Sequence, residues 1–254
     1  MTHLSVVIIT YNEEKNIGRC LESVKDVADE IIVVDSISTD GTKAICASYG
    51  VKFIEQPFLG YIEQKNFAMN CATHDYALSL DADECLSDEL KKSILIEKQN
   101  GLTSDCYRMN RLSSFCGQWI KHGTWYPDRK VRLINRKKGK WGGVNPHDKI
   151  IMNEGARLKQ LKGDILHYTY ETIEQIMEQT NKFTTIQSKA MFEQGKRSSV
   201  LKLVINPLTA FISSYFIKRG FLDGYNGFII ARYSSHATLA KYAKLLHLQQ
   251  KMKR

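Results

Sequence analysis

The stretch Leu4-Ser5-Val6-Val7-Ile8-Ile9-Thr10-Tyr11-Asn12-Glu13-Glu14 decides the fold class of this chain. A short run of mainly β-branched and apolar residues, stopped by polar ones, reads as a buried strand that ends in a loop. The pattern returns at 31–35, 51–54 and 76–80, with helix-like stretches between, near 13–24, 41–49 and 61–72. This alternation predicts an α/β fold whose mostly parallel sheet is covered on both faces. Another helix is expected over 87–99, with Ser87 as its N-cap. From 105 to 168 the strands are shorter, including 131–134, 149–152 and 165–167. Gly, Pro and Asn separate them, so this part should be antiparallel or mixed. Ile173, Ile176, Met177, Phe183, Ile186, Ala190 and Met191 give 171–194 the spacing of a helix with one packed face.

Open parallel sheets bind ligands at the carboxyl ends of their strands, so the polar residues that follow each strand are the ones to read for chemistry. They are Thr10, Tyr11, Asn12, Glu13 and Glu14 after the first strand, and Asp35, Ser36, Ser38, Thr39, Asp40 and Gly41 after the second. Asp81-Ala82-Asp83-Glu84 follows the fourth. Three strand ends thus converge on an acidic site. Asp35 has two readings: it accepts hydrogen bonds from ribose hydroxyls or a base N–H, or it caps the next turn. Ser38-Thr39-Asp40-Gly41 likewise binds a nucleotide or starts a helix, since Ser, Thr and Asp are ordinary N-caps. Asp81 and Asp83, one residue apart after an apolar strand, suit a hard divalent cation shared with diphosphate oxygens.

With 254 residues, 43% hydrophobic and 25% charged, the chain can bury a core and is neither disordered nor fibrous. Its net charge of +9 is segregated: −9 over 1–107, +11 over 108–162, −3 over 163–195 and +10 over 196–254. The acidic first half suits a bound cation, and the basic segments suit phosphate, an anionic membrane surface or nucleic acid. Six cysteines, at 20, 46, 71, 85, 106 and 116, form no CxxC pair and no zinc spacing, and read as reduced thiols. No basic segment precedes a long apolar run near the N-terminus, so a signal peptide is not expected and the active part should face the cytoplasm.

The combination of Val6-Val7-Ile8-Ile9-Thr10-Tyr11-Asn12-Glu13-Glu14, Glu30-Ile31-Ile32-Val33-Val34-Asp35-Ser36 with Ser38-Thr39-Asp40-Gly41-Thr42, and Leu80-Asp81-Ala82-Asp83-Glu84 resembles the family 2 glycosyltransferases of the GT-A fold. Trp125-Tyr126-Pro127-Asp128-Arg129-Lys130-Val131-Arg132-Leu133 and Lys218-Arg219-Gly220-Phe221-Leu222-Asp223-Gly224 resemble the subgroup that adds glucose to the inner core of lipopolysaccharide. The resemblance implies a Rossmann-like GT-A domain over 1–195. Within it, 1–107 would be the nucleotide-sugar half, 108–170 the acceptor half and 171–195 a packing helix.

The same resemblance implies inverting hexose transfer from a UDP-sugar, with Mg²⁺ or Mn²⁺. Thr10, Tyr11, Glu13 and Asp35 would hold the uridine, with Asp40 of the next loop counted among the nucleotide-binding residues. Asp81 would lie near the ribose and sugar, Asp83 would bind the metal, and His167 would be a further metal ligand or a structural histidine at a strand end. Arg132 would add positive charge beside the phosphates, and Lys65 would do the same or lie on a solvated helix face. The subgroup carries a His-Glu pair after a Gly-rich stretch; here Trp141-Gly142-Gly143-Val144-Asn145-Pro146-His147-Asp148 has Asp in place of Glu. Asp148 is therefore the expected base, with His147 beside it and Asp128 as the alternative.

Beyond Gly195, 11 Lys and Arg residues stand against one acidic residue, Asp223, among large aromatics. A boundary is expected near 195, with 196–254 as a basic helical appendage that associates with a membrane or forms a homodimer. Val200–Ile217 is interrupted by Lys202, Asn206 and Pro207 and falls short of the about 20 mainly apolar residues of a spanning helix. An interfacial element at the inner face of the cytoplasmic membrane is expected instead, with a lipid-linked glycan as acceptor. Two other functions compete. A nucleotidyltransferase acting on a sugar phosphate would want a Gly-rich activating loop near the first strand, and none is found. A basic nucleic-acid-binding protein sits badly with the acidic first half and the lack of a nucleic-acid module.

Overall fold

The computed structural model describes residues 2–144 and 147–252, with the backbone alone for Val144 and His147. The chain forms two compact units, Met1–Arg111 with Asp128–Tyr168, and Leu112–Pro127 with Thr169–Arg254.

In the first unit β1 (Leu4–Thr10), α1 (Ile17–Val24), β2 (Glu30–Asp35), α2 (Thr42–Ser48), β3 (Lys52–Glu55), α3 (Tyr61–Cys71) and β4 (Tyr76–Asp81) follow the alternation read from the sequence. A short β5 (Glu84–Leu86) and α4 (Asp88–Gln99) come next, and the Ser87 side chain caps α4 by accepting from the Leu90 N–H. The parallel strands lie in the order β3-β2-β1-β4. Their order reverses between β1 and β4, the kind of switch point at which such sheets open a ligand crevice. Successive β1 side chains enter different cores, as the pleat requires. Leu4, Val6 and Ile8 join Leu21 of α1 and Leu90 and Ile94 of α4 on one face. Val7 joins Ile32 and Val34 of β2 and Ala68 and Met69 of α3 on the other. Burial on both faces is why β1 and β2 read as continuous apolar runs.

The rest of the sheet is mixed. β6 (Cys106–Phe115), β8 (Asp128–Asn135) and β11 (Leu158–Tyr170) extend it in the order β4-β8-β6-β11-β5, while β7 (Gln118–Trp119) belongs to the second unit. β9 (Gly139–Val144) and β10 (His147–Met152) form a separate antiparallel hairpin. Asn66 of α3 fixes it: the Asn66 amide donates to the Trp141 carbonyl at 2.9 Å, and its oxygen accepts the Trp141 N–H at 3.0 Å.

The second unit contains α5 (Ile173–Glu193), α6 (Val200–Ile212), a π-helical turn (Ser213–Ile217), a 3₁₀ turn (Gly220–Asp223) and α7 (Gly224–Lys251). Its core is Phe115, Ile120, Ile176 and Ile230, with Trp125 edge-on to Phe115 at 6.0 Å. The division into units does not fall at 195. Segment 196–254 is the body of a unit that also takes in 112–127 and α5. Ile230 packs with Phe115, and the Asp223 carboxylate accepts from the Lys121 N–H at 3.2 Å and the His122 N–H at 2.8 Å. The change in composition at 195 marks a change of surface, and contacts between residues a hundred positions apart leave no mark on composition.

A close approach inside this unit supplies a test. A Cβ on Gly227 of α7 would overlap the Gly220 carbonyl oxygen of the 3₁₀ turn. Ala is ordinarily better than Gly in a helix by about 1 kcal/mol. Gly227→Ala should instead lower Tm by about 5 °C, because overpacking outweighs propensity; an unchanged or raised Tm in scanning fluorimetry would contradict the contact.

Candidate active site

At the ends of β1 and β2 the loops brace each other. The Asn12 N–H donates to Ser38 Oγ at 2.8 Å, and the Thr39 N–H donates to Asn12 Oδ1 at 2.8 Å. Asp35, buried at the end of β2, accepts from the Ser38 N–H at 2.7 Å and from the Ser38 hydroxyl. Asp40 accepts from the Thr42 N–H and hydroxyl at 3.0 and 2.6 Å with one oxygen, and from the Glu14 N–H at 3.1 Å with the other. Both carboxylates thus bond within and between these loops, while the N-cap of α2 is Gly41, with no side-chain cap bond. Asp40 holds the entry to α2, while each Asp35 oxygen keeps a second acceptor position. Thr10 is buried, and its hydroxyl has no partner among the described residues; the Tyr11 ring next in sequence is exposed. An unmet buried hydroxyl calls for a polar group from outside the chain.

β4 ends on an ion network. Asp81 meets Lys65 of α3 at 3.2 Å and Arg132 of β8 at 3.3 Å. The nearly buried Lys65 ammonium also holds Asp148 of β10 at 2.8 Å, so one cation links two carboxylates from different elements. Arg132 pairs at 2.7 Å with the fully buried Glu84, which Arg111 of β6 reaches at 3.3 Å. The Trp141 ring covers both cations, with Lys65 Nζ 4.5 Å and Arg132 Cζ 5.2 Å from its centroid. Burial alone would raise the Asp81 carboxyl, but Lys65 and Arg132 outweigh it and hold it well below the usual carboxylate range. Burial also opposes the charge on Arg132, and Glu84 and Asp81 push its pKa above the ordinary guanidinium value. Asp81 and Arg132 therefore stay charged at neutral pH.

Asp83 turns away from that network. Its Oδ2 lies 3.2 Å from His167 Nε2. Strand register makes the meeting: β11 pairs with β5 so that His167 stands opposite Glu84, and the Tyr168 N–H donates to the Asp83 carbonyl at 3.0 Å. Among the described residues no cluster of three or more His, Cys, Asp and Glu side chains is placed to hold a metal ion. Asp83 and His167 are a two-donor set, which fits a hard cation that draws its other ligands from substrate phosphates and water.

Glu13 feels the same acidic strand ends. Burial pushes its carboxyl up from 4.5 to about 7; the Asn16 amide, 2.6 Å from Oε2, opposes this, and Asp83, Asp40 and Asp81 add to it. The folded chain keeps this proton where the unfolded chain has lost it. The stability Glu13 contributes is therefore present below 4.5 and lost as pH rises through about 7. Glu13→Gln, which still accepts from Asn16, should have a higher Tm than the parent at pH 8, and the advantage should vanish by about pH 4. A Tm difference that does not change with pH would remove Glu13 from this account.

The structure gathers Thr10, Tyr11, Glu13, Asp35, Asp81 and Asp83 at the carboxyl ends of β1, β2 and β4, and joins Lys65, Arg132 and Asp148 to Asp81 through ion pairs. Asp128 is engaged by Arg111 at 2.8 Å and Lys130 at 3.1 Å. The side chain of His147 lies outside the described residues. The sequence shows Glu84 and Trp141 inside its motifs but assigns them no role, and it gives no sign of Arg111 or Asn66. For Glu84 a signal exists: it runs from Asp81-Ala82-Asp83 straight into apolar Cys85-Leu86, so an acid there has to be buried and paired.

Residues 5–192 match glycosyl transferase family 2. The chain is 34% identical over 261 aligned residues to an uncharacterized glycosyltransferase of Rickettsia typhi, covering 99% of this chain and 89% of that one. It is 32% identical over 235 residues to the lipopolysaccharide core biosynthesis glycosyltransferase LpsC of Rhizobium meliloti, covering 90% of this chain and 86% of the relative. Among solved structures, the mannosyltransferase PcManGT of Pyrobaculum calidifontis in complex with GDP-mannose and Mn²⁺ aligns with a TM-score of 0.56. That alignment covers 96% of this chain and 87% of the other at 14% identity, a likeness of fold.

Proposed function

The chain belongs to glycosyl transferase family 2 and has a GT-A fold, and from that premise we propose that it moves a hexose from a UDP-sugar, with inversion, onto a lipid-linked saccharide such as lipopolysaccharide core. The observation that carries the reading is the division of labour at the end of β4: Asp81 is locked to Lys65 and Arg132, while Asp83 faces His167 outside that network. The acceptor class is drawn from the resemblance and from the printed role of the Rhizobium relative. Family membership puts glycosyl transfer ahead of nucleotidyl transfer and of nucleic-acid binding.

In this reading the unmet Thr10 hydroxyl, the exposed Tyr11 ring, Glu13 and the spare acceptor positions of Asp35 take the uridine, and Asp40 keeps their loop in place. Asp83 and His167 would hold Mg²⁺ or Mn²⁺, which when bound supplies Lewis-acid neutralisation of the leaving diphosphate. Arg132 keeps Nε and Nη1 without partners among the described residues, so it has donors to spare for an anion. Lys65 fixes one oxygen of Asp148, leaving the other to take the proton of the acceptor hydroxyl. That hydroxyl oxygen bonds to the anomeric carbon as the bond to the diphosphate breaks, and UDP departs with the electron pair. A lipid-linked acceptor places the enzyme at the cytoplasmic face of the membrane.

The test is transfer itself. Full-length protein with Mn²⁺ or Mg²⁺, UDP-hexoses and a core saccharide on vesicles should yield a product of anomeric configuration opposite to the donor's. Retention of configuration, or no transfer from any UDP-hexose, would overturn the reading.

A further inference from the structure

α6 and the π-helical turn after it present an apolar stripe that the second unit leaves uncovered. Val200, Val204, Leu208 and Ile212 follow one another at four-residue spacing, with Leu201 and Ile205 beside them, and all are 40–70% exposed. Three such steps, each about 40° around the helix, sweep a band about 120° wide, the width of a face that expects a partner. Among the described residues no side chain of α6 itself is buried. On its other side α6 meets α7: the Ser235 hydroxyl donates to the Pro207 carbonyl at 2.9 Å, and Phe211 stands edge-on to Phe228 at 6.0 Å. Tyr215 ties the turns to the same helix, 5.7 Å from Phe228 and 6.2 Å from Phe221.

Charge identifies the partner. Lys196, Arg197 and Lys202 stand at one end of the stripe and Lys218 and Arg219 at the other, and no Asp or Glu occurs from 194 to 222. The single acid of the segment, Asp223, is buried against His122 at 2.9 Å, so it offers nothing to the outside. A second copy of this face would set basic ends against basic ends whichever way the helices ran, with no carboxylate between them. An anionic lipid surface matches both the apolar stripe and its basic flanks.

Geometry also decides how the helix lies. Val200–Ile217 is 18 residues, about 27 Å at 1.5 Å per residue against a hydrocarbon core of about 30 Å. One side of α6 is occupied by α7, which carries Arg232, Lys241, Lys244 and Lys251; among the described residues only Val200–Ile217 is long and apolar enough to be a candidate span. We propose that α6 and its π-helical turn lie in the plane of an anionic bilayer, apolar stripe inward, as a one-sided anchor. The proposal deepens the lipid-linked-acceptor reading but is tested without transfer.

Full-length protein is spun with phosphatidylcholine vesicles containing about 30% phosphatidylglycerol, at low and high salt. It should pellet, less so at high salt. Val204→Asp/Leu208→Asp, both on the exposed stripe, should lose vesicle binding by about tenfold or more with Tm and donor hydrolysis unchanged. A spin label at Leu208→Cys, with the exposed Cys116 replaced by Ser, should sit about 5–10 Å below the headgroups. Four results would overturn the proposal: protein that stays in solution at low salt, binding indifferent to the double substitution, a label at the bilayer centre, or a dimer that the double substitution dissociates. If binding holds while no sugar is ever transferred, the catalytic reading fails and the anchor stands.

Discussion

Asp83→Ala is expected to lower metal-dependent donor turnover by about a thousandfold, the several kcal/mol that a Lewis acid supplies to a leaving diphosphate. The same variant should keep its Tm within about 2 °C, because partly exposed strand-end substitutions away from the core change stability little. The structure separates these effects. Asp83 is 26% exposed, its side chain meets His167, and it belongs to neither core of its unit. The neighbouring acids do not share this independence: Glu84 is buried between Arg132 and Arg111, and Asp81 sits between Lys65 and Arg132. Removing either would strand a buried cation and blur the result. Full turnover in a folded Asp83→Ala protein would take this carboxylate out of the reaction.

Asp148→Asn should lower transfer by about 10²–10⁴-fold, the usual contribution of a positioned base, while donor KM stays close to the parent's. An amide keeps the shape of the carboxylate and still accepts from Lys65, so the bridge from α3 to the β9–β10 hairpin survives. The Asn66–Trp141 pair holds the hairpin independently. What is lost is the ability to accept the hydroxyl proton. Single-turnover transfer and donor binding, measured separately, distinguish the roles: a collapse of donor affinity with an intact transfer step would make Asp148 a binding residue.

The first half of the fold was readable because its forces are local and periodic. β1, β2, β3 and β4 start and stop within a residue of the apolar runs, since burial on both faces demands such runs and polar or acidic residues close them. The strand ends were therefore readable too. What was not readable depends on register between distant strands. His167 comes to Asp83 through β11–β5 pairing across 84 positions, and Lys65 comes to Asp148 across 83. The resemblance names His167 and Asp148 for chemistry, but nothing local says which groups they touch. The carboxylates of Asp35 and Asp40 show the converse: their loop bonds were among the local alternatives, because a side chain three or two residues from its backbone donor needs no tertiary information. The second unit escaped notice because Phe115 and Ile230, and His122 and Asp223, meet only in the folded chain.

The measurement that bears most directly on the account is the Tm of the full chain with a panel of UDP-, GDP- and dTDP-sugars, each with and without Mn²⁺. Selective binding stabilises the folded state by mass action, about 2.7 kcal/mol at a hundred times Kd, or about 5–10 °C for a protein of this size. The account predicts such a rise for at least one UDP-sugar, only when the ion is present, and its loss in Asp83→Ala. No rise with any UDP-sugar and ion, or an equal rise with GDP- and dTDP-sugars in the absence of the ion, would contradict it.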